Sequence, residues 1–361
     1  MKDRVYNFSA GPSMLADEVL CAINEELFNY KGSGQSVMEM SHRSKIYLEL
    51  FNETKALLKK LMEIDDNYEI LFVHGGATMQ FSAIPMNLMK NGKADYIITG
   101  NFAKKAAQEA EKFGEVHIAY DSKENGHSHI PSQDELDLSV DASYVHICAN
   151  NTIYGTEWKK YPDTHGIPLV ADMSSDILSK KINVSDFGLI YAGAQKNMGI
   201  AGIAVVIIRK DLINADLNNI PVLLNYGIYA KNDSMYNTPS TYSIYVLLKV
   251  LQWIDSIGGI EEVERRNKEK AEKLYAYLDN QDFYIPHAEK ESRSLMNVTF
   301  TTPDKDMDAE FAKKADEYGL ANLKGHRLVG GIRASIYNAM PLAGIEKLIE
   351  FMEQFRREHQ K

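Results

Sequence analysis

PLVADMSSDILSKKINVSDFGLIYAGAQKNMGIAGIAVVII, residues 168–208, is the stretch whose reading decides the fold. It holds three short apolar runs, Leu169–Ala171, Leu189–Ala192 and Ile203–Ile208, rich in Val, Ile and Leu and bounded by turn-forming residues. Runs of that length and composition predict strands buried on both faces. Asp172 follows the first run directly. Lys196 lies between the second and third, in a turn of small residues that includes Ala192, Gly193, Ala194, Gly199 and Gly202. Open α/β sheets bind ligands at the carboxyl ends of their strands, and Asp172 falls at such an end.

The same alternation continues outward. Glu69–Val73 predicts a strand leading through His74, Gly75 and Gly76 into a helix that starts near Thr78. Asp95–Thr99 and Tyr144–Ala149 read as further strands, and Ala103–Phe113 as a helix. Nearer the N-terminus, apolar residues at helical spacing predict helices over Leu15–Tyr30 and Ser44–Met62. Buried strands separated by helices define an α/β protein with a mainly parallel sheet. The pattern changes after Pro239. Helices over Tyr242–Asp255 and Glu261–Leu278 precede a strand at Leu295–Phe300, a helix at Asp308–Tyr318, and a last strand and helix from Ile332 to Arg356. That order predicts a smaller α+β unit. The expected division is a large unit over 16–257 and a small one over 258–361 that also takes up 1–15. There is no internal repeat.

Composition narrows the function classes. A length of 361 residues suits two linked cores, and 45% hydrophobic with 25% charged residues is ordinary for a globular protein. A formal net charge of −10 argues against a nucleic-acid-binding surface, while leaving room for a local basic pocket. The two cysteines, Cys21 in VLCAI and Cys148 in VHICA, read as small buried hydrophobes, with neither disulfide nor metal-ligand spacing. His127 and His129, in GHSHI, lack a matching carboxylate or cysteine cluster and read as a polar loop, so no metal is expected. No stretch approaches a membrane span and no apolar leader stands at the start; the expected compartment is the cytoplasm, with no membrane partner.

Lys196 and Asp172 are the pair that pyridoxal phosphate requires. A lysine amine holds the cofactor aldehyde as a Schiff base and, once released, moves a proton. A carboxylate facing the pyridine nitrogen keeps it protonated, so that the ring accepts electrons. The Gly75-Gly76-Ala77-Thr78 turn, between a strand and a helix, offers free N–H groups and a helix N-terminus to a phosphate. Taken singly, a loop lysine is usually solvated, a strand-ending Asp is often a turn former, and a glycine turn often holds nothing.

The segments NFSAGPSML, MEMSHRS, FVHGGATMQF, NNTIYGTEW, VADMSSD, AGAQKN, YNTPSTYSIY and KGHRLVGGIRASIYNAM run from Asn7 to Met340. Together they resemble the class V aminotransferases, within the fold-type I pyridoxal-phosphate enzymes, and more narrowly the branch that acts on phosphoserine. The resemblance implies a large domain built on a mainly parallel seven-stranded sheet, plus a smaller α+β C-terminal domain. It implies that Lys196 and Asp172 are catalytic, and that Ala77, Thr78, Phe102, Thr152 and Gln195 contact the cofactor. Asn237 and Thr238 match a pair that reaches the cofactor phosphate from a second subunit, which makes the expected assembly a homodimer with shared active sites. Ser9, His42, Arg43, His326, Arg327 and Arg333 match substrate contacts, Arg333 for the α-carboxylate and the His–Arg pairs for the distal anion. Arginine suits both tasks because its planar fork pairs bidentately with carboxylate or phosphate.

The implied reaction exchanges the amino group between L-glutamate and 3-phosphohydroxypyruvate, giving 2-oxoglutarate and O-phospho-L-serine. A phosphorylated hydroxythreonine is a second implied product. The sequence departs from the family pattern twice. Thr78 stands where many members have arginine, and Phe102 where many stack a tryptophan. Rival readings are an alanine–glyoxylate or serine–pyruvate type aminotransferase, a cysteine desulfurase, a dinucleotide-binding dehydrogenase and a non-catalytic relative. The desulfurase needs a late-loop cysteine and none follows Cys148; the dehydrogenase needs a G-x-G-x-x-G turn and none is present.

Overall fold

The computed structural model describes residues 4–360 apart from 215 and 218. The three runs of the decisive stretch lie side by side in one sheet. Its strands are β1 (Tyr68–Val73), β2 (Lys93–Ile98), β3 (Glu115–Asp121), β4 (Val145–Cys148), β5 (Leu169–Asp172), β6 (Leu189–Gly193) and β7 (Ala204–Arg209). They are ordered β1-β7-β6-β5-β4-β2-β3. Neighbours are parallel from β6 to β3, whereas β7 runs antiparallel to both β1 and β6. The sheet is thus mainly parallel, as expected, and one strand was not foreseen. β3 stands at the edge, only Ala119 of it is buried, and so it lacks the apolar run that marks the inner strands.

Helices cover both faces. α1 (Asp17–Glu26), α2 (Lys45–Leu61) and α6 (Thr241–Ser256) pack on one side; α3 (Gly76–Leu88), α4 (Asn101–Ala110) and α5 (Tyr226–Lys231) pack on the other. α2 starts where Ser44 Oγ accepts the N–H of Tyr47, and it buries Tyr47, Leu50, Phe51, Thr54 and Leu58 along one stripe. α6 is buried nearly all round, so truncating a residue such as Leu247 to Ala costs about 2–5 kcal/mol. α1 is shorter than expected, because Asn29 leaves the helical region (φ −149°) before a separate turn at Tyr30–Gly32. Cys21 corrects another expectation: it is exposed on the outer side of α1, while Cys148 is buried. An apolar run on a helix includes residues of its solvent face, and only Val19 of α1 is buried.

A separate core gathers α8 (Lys305–Glu317), α9 (Leu342–His359) and the later half of α7 (Gly259–Asp279) on a small antiparallel sheet of β8 (Ile285–Pro286), β9 (Asn297–Thr301) and β10 (Ile332–Ser335). α7 joins the two cores, placing Ile260 and Val263 in the first and Ala271, Leu274 and Leu278 in this one. The N-terminal segment docks here too. Tyr6–Asn7 pair with Leu320–Ala321, and Phe8 is fully buried in this core. The chain then crosses to the lysine turn, where the Ser13 N–H donates to the Gln195 carbonyl at 2.9 Å and Ser13 Oγ to the Lys196 carbonyl at 2.6 Å. Among the described residues no single helix is long and apolar enough to cross a membrane.

Candidate active site

The carboxyl ends of β4, β5 and β6 converge on a cavity of about 220 Å³. Asp172 closes β5 and is only 6% exposed; Lys196 sits three residues past the end of β6. Lys196 Nζ donates to Thr152 Oγ1 at 2.7 Å and lies 5.9 Å from the centre of the Phe102 ring. Gly75 and Gly76 take φ of +82° and +63°, a conformation cheap only for glycine, and no side chain caps the helix N-terminus that follows. The cavity is therefore flanked by a buried carboxylate, an amine, an aromatic ring and an uncapped helix end.

Nine of the residues singled out in the sequence line this cavity: Gly75, Gly76, Ala77, Thr78, Phe102, Thr152, Asp172, Gln195 and Lys196. Phe81, Cys148, Asn150, Ser174 and Ser175 line it as well and were not foreseen. Ser174 follows Asp172 by two, and its N–H donates to Asp172 Oδ1 at 2.9 Å. Asn150 links the large sheet to the small one, donating to Ser175 Oγ and to Asn297 Oδ1, each at 2.8 Å.

The remaining candidates lie outside the lining. Ser9 belongs to the segment that crosses to the lysine turn, and its N–H bonds Asn7 Oδ1 at 3.0 Å. His42 and Arg43 stand in the turn before α2, Asn237 and Thr238 in the segment before α6, and His326 and Arg327 in the turn before β10. His42 Nε2 and Asn237 Oδ1 are buried atoms without a hydrogen-bond partner. Arg333, on β10, is half-buried, and its Nη1 approaches the Thr152 carbonyl at 3.5 Å, the outer limit of a hydrogen bond.

Charge separates these arginines from the others. The sequence has ten arginines. Seven of them, Arg4, Arg209, Arg265, Arg266, Arg293, Arg356 and Arg357, hold a carboxylate within ion-pair distance. Among the described residues Arg43, Arg327 and Arg333 hold none. Burial lowers the pKa of the Arg333 guanidinium, with Tyr337 opposing, as befits a cation with no counter-ion. His326 is shifted down by burial and then by the charges of Arg333, Arg327 and Lys105. Lys105, unnoticed in the KK doublet of α4, thus belongs to the same cationic mouth, its Nζ 5.8 Å from the centre of the Phe102 ring. The Asp172 carboxyl is pushed above the usual carboxylate range by burial, opposed by hydrogen bonds from Ser174 and by the Lys196 charge. A buried carboxylate of this kind is completed by a cation.

The donor set fits pyridoxal phosphate: an amine for the aldehyde, a carboxylate for the ring nitrogen, an aromatic face and an uncapped helix N-terminus for the phosphate.

The chain matches the family model Aminotransferase class-V over residues 5–348 and belongs to that family. Within it, the similarity is to phosphoserine aminotransferases. That of Lysinibacillus sphaericus (strain C3-41) is 51% identical over 362 residues, covering 100% of each chain. A solved phosphoserine aminotransferase, known from a study of radiation damage to its Schiff base, superposes with a TM-score of 0.97 at 47% identity, covering 99% of each chain. The pyridoxal-phosphate-bound phosphoserine aminotransferase of Trichomonas vaginalis superposes with a TM-score of 0.92 at 39% identity, covering 97% of this chain and all of the other.

Proposed function

We propose that this protein is a phosphoserine aminotransferase that reversibly transfers the amino group between L-glutamate and 3-phosphohydroxypyruvate, giving 2-oxoglutarate and O-phospho-L-serine. The carrying observation is that the three arginines without a carboxylate partner are those the substrate anions require. Bound at Lys196, pyridoxal phosphate supplies the electron sink for the substrate α-carbon. Lys196 Nζ, steadied by Thr152, takes and returns the proton of that carbon. Asp172 holds the ring nitrogen, Phe102 stacks on the ring, and Gly76 to Thr78, with Gln195, seat the cofactor. Arg333 binds the α-carboxylate, while Ser9, His42, Arg43, His326 and Arg327 serve the distal phosphate or carboxylate.

The active form is a homodimer in which Asn237, Thr238 and part of the distal pocket come from the second subunit. The buried, unpartnered His42 Nε2 and Asn237 Oδ1 support this. The large unit spans 16–257 and the small one 258–361 with 1–15, and the compartment is the cytoplasm. The phosphorylated hydroxythreonine is a second substrate of the same pocket.

A coupled assay with 2-oxoglutarate as acceptor tests the reading. Phosphoserine should exceed serine and alanine as donor by at least about 30-fold in kcat/KM, since losing a bidentate phosphate contact costs about 2–5 kcal/mol. Equal rates with serine would refute it. Lys196→Ala should remove the borohydride-reducible yellow colour and lower kcat by at least about 10³-fold.

A further inference from the structure

One buried polar cluster lies behind the carboxylate rather than in front of it. In the parallel sheet Asp172 stands opposite Tyr191 and Cys148, and His146 opposite Tyr96. The two-residue period then puts Tyr96, His146, Cys148, Asp172 and Tyr191 on one face of the sheet. Tyr191 is the cross-strand neighbour of Asp172, and its hydroxyl favours the ionised carboxylate. On its other side it lies 3.0 Å from His146 Nε2. The His146 ring stacks on Tyr96 with centres 4.8 Å apart and planes 23° apart, which fixes its orientation. His146 Nδ1 is buried and has no partner.

The direction of the chain follows from counting hydrogens. An ionised carboxylate only accepts, so Tyr191 can serve Asp172 only by giving it its single hydrogen. The contact with His146 is then satisfied only if Nε2 carries the imidazole proton and donates it to Tyr191 Oη. His146 is neutral, because burial holds its pKa down at about 3, so Nδ1 is left as a bare lone pair. That arrangement spares the fold a buried N–H without an acceptor, which is the rarer defect. The opposite tautomer would orphan Nδ1–H and withdraw the tyrosine hydrogen from Asp172.

We infer that Tyr191 and His146 are positioning residues that hold Asp172 ionised and aimed at the pyridine nitrogen, through His146 Nε2–H to Tyr191 Oη and Tyr191 Oη–H to the carboxylate. The inference rests on the proposed cofactor. The other groups facing Asp172 are Ser174 on its own segment, Cys148 on β4, Asp176 beyond β5 and Lys196 after β6. Burial pushes both the Cys148 thiol and the Asp176 carboxyl up, so neither competes as an anion at low pH.

The test uses pyridoxal phosphate labelled with ¹⁵N in the ring, bound to the full chain, with the ring-nitrogen resonance followed against pH. Tyr191→Phe, which deletes one oxygen, should lower the deprotonation midpoint by about one pH unit and raise the cofactor dissociation constant about tenfold. His146→Leu should move both readouts the same way. His146→Gln, whose amide N–H still donates, should restore them most of the way. Unchanged midpoints in Tyr191→Phe and His146→Leu would overturn the inference, as would a His146→Gln variant no better than His146→Leu. Should the His146→Leu variant fail to fold, the comparison of Tyr191→Phe with parent decides it. A parent protein that takes up no cofactor would overturn the functional reading and this inference with it; a parent that takes it up, with variants identical to it, overturns the inference alone.

Discussion

The floor of the site and its mouth are built in opposite ways. The floor is held by strand ends: Asp172 is buried and bonded by Ser174, Lys196 is bonded to Thr152, and the Lys196 turn is strapped by Ser13. The mouth is made of turns and the β10 strand, and its arginines hold no carboxylate among the described residues, unlike Arg265 and Arg266 on α7 or Arg356 and Arg357 on α9. Surface arginines with neighbouring glutamates are satisfied and add little. Arginines kept free are available to an incoming anion. On the proposed reading, reaction type is set by the buried floor and substrate by groups left unsatisfied.

Arg333 is where the two regions meet, because it reaches toward Thr152, the residue that also holds Lys196. Arg333→Leu should raise KM about 100-fold for glutamate and phosphoserine alike, since both present an α-carboxylate to a partly desolvated guanidinium. Steady-state kinetics with both donors check it. A loss confined to phosphoserine would move Arg333 from the α-carboxylate to the distal anion and break the division drawn above.

Asp172, Ser174, Thr152 and Lys196 of the floor meet within one chain, whereas the proposed mouth borrows from a second. Arg43→Leu alone should cost about 30-fold in kcat/KM. Refolding it in equal amounts with Lys196→Ala should restore about a quarter of parental activity, because each mixed two-fold dimer regains one intact site and half of the dimers are mixed. No recovery, with mixed dimers verified by mass spectrometry, would put Arg43 in its own subunit's site.

Two acids of the floor region differ in a way that stability measurements can read. The Asp172 carboxylate accepts the Ser174 N–H, whereas Asp176 Oδ1 is buried without a partner, and burial pushes the Asp176 carboxyl up to about 7 against the pull of Lys180. Because the folded-state pKa is raised, the unfolded chain ionises first. The stabilising contribution is present below pH ~4 and is lost as pH rises toward about 7. Asp176→Asn should flatten that decline by on the order of 2 kcal/mol in the cofactor-free protein, measured by urea unfolding at pH 5 and pH 7.5. An unchanged slope would mean that Asp176 is ionised in the fold.

What the sequence made legible follows the same division. β5, β6 and β7 were readable because strands buried on both faces are continuous apolar runs, and Asp172 and Lys196 were readable because they interrupt those runs. β3 was missed because an edge strand is half-solvated. Phe8 in the small core depends on a contact with residues some three hundred positions away, which no local pattern encodes. The Tyr191–His146 contact depends on strand register, and Lys105 is one half of an ordinary KK doublet.

Lys105 gives the smallest expected effect and the sharpest question about the mouth. Thr78 leaves the cavity without the arginine of many relatives, and Lys105 is a cation close enough to repel the proton of His326. It is exposed and flexible, so its contribution is screened. Lys105→Ala should raise KM for phosphoserine about three- to fivefold at low salt and leave kcat alone, with the difference fading at about 0.5 M salt. Adding Thr78→Arg to that variant should return KM to parental or below, because the new guanidinium lines the cavity and can pair bidentately with the anion. If Lys105→Ala leaves KM unchanged at every salt concentration, the mouth gains nothing from α4. Anion binding then rests on the three unpaired arginines with Ser9, His42 and His326.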